Sequence, residues 1–131
     1  MEPLQIAGLY IALNLILAVV LIYRVVKIRI SDKISMGDDN NPVMAARIRA
    51  HGNFIENTPL MLIGLFTLAS LSAHVVALHI CGIAILLCRL LHAYGMAQPH
   101  ANGQSRRIGM MLTFVIYISI ALYLLYIVIA G

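Results

Sequence analysis

The sequence predicts an all-α protein, a single integral membrane domain built as a four-helix bundle. Three observations carry this. Hydrophobic residues make up 62% of the 131 positions and charged residues only 11%, well outside the usual make-up of soluble domains. The apolar residues fall in four stretches, and a helix of about 20 residues crosses a hydrocarbon core about 30 Å thick. Lys and Arg gather at alternate ends of those stretches, which for a four-span chain is one side of a membrane.

The first helix is expected over about residues 4–29. Leu4 to Tyr23 is apolar except for Gln5 and Asn14. It lacks the basic head and small-residue cleavage site of a signal peptide. Asn14, near the middle, reads as a hydrogen-bond donor to another helix. Arg24, Lys27, Arg29 and Lys33 follow as a basic anchor, and the spacing of Arg24, Lys27 and Ile28 carries the helix a turn or two past the hydrocarbon edge. Gly37-Asp38-Asp39-Asn40-Asn41-Pro42 is turn chemistry. Asn41 fits the N-cap of the next helix, with Pro42 at its first position.

The second helix, about 43–70, begins polar and then enters the bilayer. Arg47, Arg49, His51, Asn53 and Glu56 precede the apolar run Leu60 to Leu71. Arg49, Asn53 and Glu56 stand at i, i+4 and i+7, so a helix gives them one face. Polar faces of this kind inside a membrane are functional-site hypotheses by default. Pro59 predicts a kink and leaves the carbonyl of Ile55 in need of a partner.

An uncharged turn, Leu71 to His74, leads to a third helix over about 75–96. Cys81 and Cys88 stand seven residues apart, about 10 Å along the axis, too far for a disulfide. They read as small buried apolar residues, and no metal site is expected. The helix ends in Arg89-Leu90-Leu91-His92-Ala93-Tyr94-Gly95, with Gly95 as a stop signal. A polar loop, Ala97 to Ser105, precedes the fourth helix, about 106–130, which opens with Arg106 and Arg107. Tyr117, Tyr123 and Tyr126 read as belt or packing aromatics.

Every Lys and Arg falls on one side of this arrangement. The opposite side, made of the N-terminus, the Leu71–His74 turn and the C-terminus, has none. The basic side is therefore expected to be cytoplasmic, with both termini facing away from the cytoplasm. The net charge of +4 is explained by orientation and lipid headgroups. With no Trp and no basic aromatic surface, a nucleic-acid partner is not expected. The same alternation brings Arg49, Asn53 and Glu56, then Arg89, His92 and Tyr94, then Arg106 and Arg107 to one depth. Five basic groups (Arg47, Arg49, Arg89, Arg106, Arg107) meet one acid, Glu56. Some of this polarity is structural pairing, but the spare positive charge points to an anion pocket.

The string Arg49-Ala50-His51-Gly52-Asn53-Phe54-Ile55-Glu56-Asn57-Thr58-Pro59 resembles the second-helix signature of the membrane-associated proteins in eicosanoid and glutathione metabolism (MAPEG). Arg89 to Gly95 is similar to the family's third-helix R-x-x-H/Y segment, and Arg106-Arg107-Ile108-Gly109 to its next basic position. The chain departs from several relatives at Gly52, Met96 and Ile108, and on these points resembles the family's small prokaryotic branch. The resemblance implies a homotrimer of four-helix subunits in the prokaryotic inner membrane, with glutathione as co-substrate bound between subunits near the cytoplasmic face. By position it implies glutathione contacts from Arg49, Asn53, Glu56, Arg89, His92 and Tyr94. Arg106 or Arg107 would be the catalytic arginine that favours the thiolate. The expected function is a glutathione transferase or peroxidase acting on apolar electrophiles. The alternative is a non-catalytic protein of the same fold that binds a lipid or amphiphile.

Overall fold

The structure is a computed structural model that describes residues 1–97 and 103–130; most of the loop expected over Ala97 to Ser105 lies outside them. Four helices follow in chain order: α1 (Pro3–Ser31), α2 (Pro42–Ser70), α3 (Val75–Ala97) and α4 (Gln104–Ala130). α1 and α2 have 29 residues each. At 1.5 Å per residue that is about 43 Å, long enough for both ends to stand in the headgroup zone. Phe114, Leu122 and Ile129 are 62–79% exposed on α4, a surface suited to lipid or to another apolar face and not to water.

α1, α3 and α4 are long and apolar enough to cross a membrane by their own composition. α2 is not, because its first half holds Arg47, Arg49, His51, Asn53, Glu56 and Asn57. It packs against all three other helices, whereas α1 and α4 are not neighbours among the described residues. α2 and α3 thus form the central pair, and the polar helix is sheltered by its neighbours.

Two apolar clusters fill the bundle. The larger lies toward the α2–α3 turn and includes Ile6, Tyr10, Leu65, Leu68, Leu78, Ile85 and Ile120. The smaller, toward the charged end, is Leu17, Leu21, Phe54 and Ala93. Gly82 lets α1 and α3 close up, since a Cβ there would collide with the ring of Tyr10. The Tyr10 hydroxyl shares a 2.9 Å hydrogen bond with His79 Nδ1, and the two rings meet edge to face at 5.8 Å. On the α2–α3 turn, Tyr123 Oη accepts from the backbone N–H of His74 at 3.2 Å.

Several local expectations are met and several are not. Asn41 caps α2, accepting from the N–H groups of Val43 and Met44 at 2.9 and 3.1 Å. Asn14 does not reach another helix. Its Nδ2 donates to Tyr10 O at 2.8 Å, because a short amide side chain finds the carbonyl one turn back on its own helix. α3 runs through Gly95 to Ala97. Gly95 serves packing, with the backbone of Arg106 where its Cβ would be. Near Pro59, a hydroxyl reaches the carbonyl of Asn57 rather than that of Ile55: Tyr117 Oη donates to Asn57 O at 2.7 Å. Tyr117 is thus an inter-helix tie between α4 and α2.

Candidate functional site

At the charged end, α2, α3 and α4 enclose an open cavity of about 360 Å³, within the size range of small-molecule sites. Its walls are Arg49 and Asn53 from α2, His92 and Met96 from α3, and Arg106 and Met110 from α4. The members of each pair are four residues apart, so each helix contributes two adjacent side chains of one face. None of the six is acidic. The two arginines and the asparagine amide supply donors, and Arg106 sits in the first turn of α4, where the helix dipole adds to its positive charge. Such a site favours an anion.

The cavity exists because α3 and α4 approach backbone to backbone. A Cβ on Gly109 would lie 2.8 Å from His92 N and 2.9 Å from Cys88 O. With glycines at positions 95 and 109, Arg106 of α4 and His92 of α3 can share one wall.

Behind that wall lies Arg89, only 2% exposed. Its Nη1 donates to Asn53 Oδ1 at 2.9 Å and lies 3.5 Å from Asn53 O. Its Nη2 donates to Thr113 Oγ1 and its Nε to Cys88 Sγ at 3.4 Å. Thr113 in turn donates to Gly109 O at 2.8 Å. All of these partners are neutral. Burying an ion without a counter-charge costs on the order of several kcal/mol. Arg47 contributes a second such feature: its Nη1 is buried and has no partner among the described residues.

The expected site residues divide into three groups. Arg49, Asn53, His92 and Arg106 line the cavity. Arg89 supports it from below. Glu56, Tyr94 and Arg107 do not line it. Tyr94 is 62% exposed, because two residues along a helix turn it about 200° away from His92. Arg107 is exposed, one residue and so about 100° round from Arg106. Glu56 shares the face of Asn53 but is exposed a turn further along α2, with its Oε1 4.0 Å from where a Cβ of Gly52 would stand.

Sequence reasoning overlooked Met110 and Thr113; it named Met96 only as a departure from relatives and Gly109 only as part of a motif. A signal for the α4 residues was present: Arg106, Met110 and Thr113 stand at i, i+4 and i+7, the spacing that singled out Arg49, Asn53 and Glu56. The methionines make weak contacts to the donors of the site. Asn53 Nδ2 lies 3.5 Å from Met110 Sδ, and Arg106 Nη1 lies 3.9 Å from Met96 Sδ.

Residues 7–126 match the MAPEG family. The chain is 31% identical over 110 residues to the inner membrane protein YecN of Escherichia coli strain K12, covering 84% of this chain and 82% of that protein. The same protein from Escherichia coli O6:H1 matches to the same extent, 31% over 110 residues. No solved structure matches the chain.

Proposed function

This chain belongs to the MAPEG family, and from that premise we propose that it binds glutathione in the cavity of Arg49, Asn53, His92 and Arg106 and transfers its thiolate to apolar electrophiles. The observation that carries this reading is a polar wall with two guanidiniums and no acidic side chain at the end of a membrane bundle. Glutathione has two carboxylates, one ammonium and a thiol. Arg49 is placed to take a carboxylate, since a guanidinium pairs bidentately with that group. Arg106, in the dipole-reinforced first turn of α4, is the catalytic arginine that holds the sulfur as thiolate, the nucleophilic form. The sulfur forms a bond to the electrophilic carbon while the bond from that carbon to its leaving group breaks. The leaving group departs with the electron pair, and the thiol proton has already passed to water. A hydroperoxide is the other class of acceptor this site would serve.

The chain acts as a homotrimer in the prokaryotic inner membrane, with the charged end cytoplasmic and both termini on the far side. Arg49 and Glu56 are exposed on the single chain, and the neighbouring copy covers them. Glu56 then meets the glutathione ammonium at the seam. The membrane lipid supplies both the solvent of the bundle and the route by which an apolar substrate arrives.

Calorimetry of glutathione binding in detergent tests this directly. Wild type binds and conjugates an apolar aryl halide, Arg106→Ala loses conjugation, and Glu56→Gln loses affinity. Absence of both binding and conjugation in the wild type would overturn the proposal. A second reading, non-catalytic binding of a lipid or amphiphile, is favoured by one observation. An apolar groove of about 290 Å³ runs between α2 and α4, walled by Leu60, Gly64, Tyr117, Ile120 and Leu124 among others. Stoichiometric retention of lipid without thiol turnover would select it.

A further inference from the structure

We infer that Arg89 is a positioning residue, which locks Asn53 with its donor edge toward the cavity so that this wall takes only an acceptor or anionic group. The inference deepens the glutathione reading and rests on it only for the identity of the ligand.

A guanidinium has donors and no acceptor. The edge of Asn53 that meets Arg89 must therefore be its carbonyl, as the 2.9 Å contact from Nη1 to Oδ1 has it. The NH₂ group is then turned the other way, and Asn53 lines the cavity. There its partner is the thioether of Met110 at 3.5 Å, a weak acceptor that a carboxylate or thiolate would displace. Nothing in the sequence alone sets this polarity, since an asparagine can present either edge.

The rest of the Arg89 network keeps the clamp from turning. Nη2 is held by Thr113 Oγ1, whose own proton is committed to Gly109 O at 2.8 Å. Nε is held by Cys88 Sγ at 3.4 Å. Every bond runs outward from the guanidinium, so three helices are tied in one donor direction. The consequence is selective: a ligand offering an amine or hydroxyl proton at Asn53 meets another donor, while an anion is accepted.

Two variants test this while leaving the bundle able to fold. Arg89→Met keeps the length and removes an uncompensated buried charge, a change that need not destabilise. Asn53→Asp keeps an acceptor toward Arg89 and replaces the donor edge with a carboxylate oxygen. Each is expected to weaken glutathione binding about 10-fold to 100-fold, the scale of a hydrogen bond to a charged group. Combining Arg89→Met with Asn53→Ala should cost no more than Asn53→Ala alone, because Arg89 acts through Asn53. Losses that simply add would overturn the inference. A readout free of ligand keeps the two proposals separate: side-chain amide signals in protein labelled with nitrogen-15 asparagine, with Asn53 assigned by its loss in Asn53→Ala. The Asn53 pair should be slow to exchange in wild type and should move toward free-amide behaviour in Arg89→Met. An Asn53 pair unchanged by Arg89→Met would also overturn it. If the pair responds as expected and wild type still fails to bind glutathione, the ligand assignment falls and the positioning role stands.

Discussion

The two ends of the bundle are built by different rules. Toward the α2–α3 turn the helices meet through a continuous apolar cluster around Leu65, Leu68, Leu78 and Ile85, with Tyr10 seated on Gly82. Toward the charged end the apolar cluster shrinks to Leu17, Leu21, Phe54 and Ala93, and a buried guanidinium with neutral partners takes its place. In lipid, burial of apolar surface does not by itself drive helices together, so both ends rely on close packing and inter-helix bonds. The difference is that packing at one end secures the bundle, whereas packing at the other creates an opening.

The sharpest way to break this contrast is at Gly109. A methyl there meets backbone atoms of α3 at 2.8 and 2.9 Å, and backbone cannot rotate aside. Gly109→Ala should therefore cost about 3 kcal/mol and also abolish glutathione binding, because Arg106 and His92 no longer share a wall. Thermal unfolding in detergent and calorimetry would report the two losses together. Gly82→Ala gives the counterpart at the other end. Its added methyl strikes the ring of Tyr10, and the expected cost is about 2 kcal/mol with the affinity of the surviving folded protein unchanged. A parallel loss of affinity would show that the two ends are mechanically one.

Most of the fold was legible because a bilayer leaves so few choices. Long apolar stretches must be helices, and the turn at Asn41-Pro42 and the uncharged turn before Val75 mark the breaks. The face of α2 was legible for a related reason: Arg49 and Asn53 are expensive enough in lipid that their spacing stands out. The methionines did not stand out, because a thioether in an apolar helix looks like packing until coordinates put it beside an arginine. Nor could sequence decide between Arg106 and Arg107. One residue changes the direction by about 100°, and the choice depends on where α4 begins and how closely Gly95 and Gly109 let it approach α3. Tyr94 was grouped with His92 because the two are neighbours in the chain, and helical geometry separates them.

A smaller perturbation separates the tie between α4 and α2 from the cavity that both helices help to wall. Tyr117→Phe removes the 2.7 Å bond to Asn57 O one turn beyond Asn53. Inter-helix hydrogen bonds in membranes average about 0.6 kcal/mol, so the unfolding temperature should fall slightly. Binding should hold, because Asn53 is kept in place by Arg89 rather than by Tyr117. A loss of affinity larger than the loss of stability would move the boundary of the site inward along α4.

The smallest effect is expected from Arg107→Ala, and it bears most on how the copies assemble. On the single chain Arg107 is exposed and outside the cavity, and an exposed charge acts only weakly on a ligand. If each cavity works within its own chain, glutathione affinity should change by less than about twofold, against the much larger loss from Arg106→Ala measured alongside. If copies associate so that α4 of one borders the cavity of the next, Arg107 would no longer be exposed, and its loss would approach that of Arg106. The ratio of the two losses, taken in detergent and again in lipid nanodiscs, therefore reads whether the anion is held by one chain or shared across a seam.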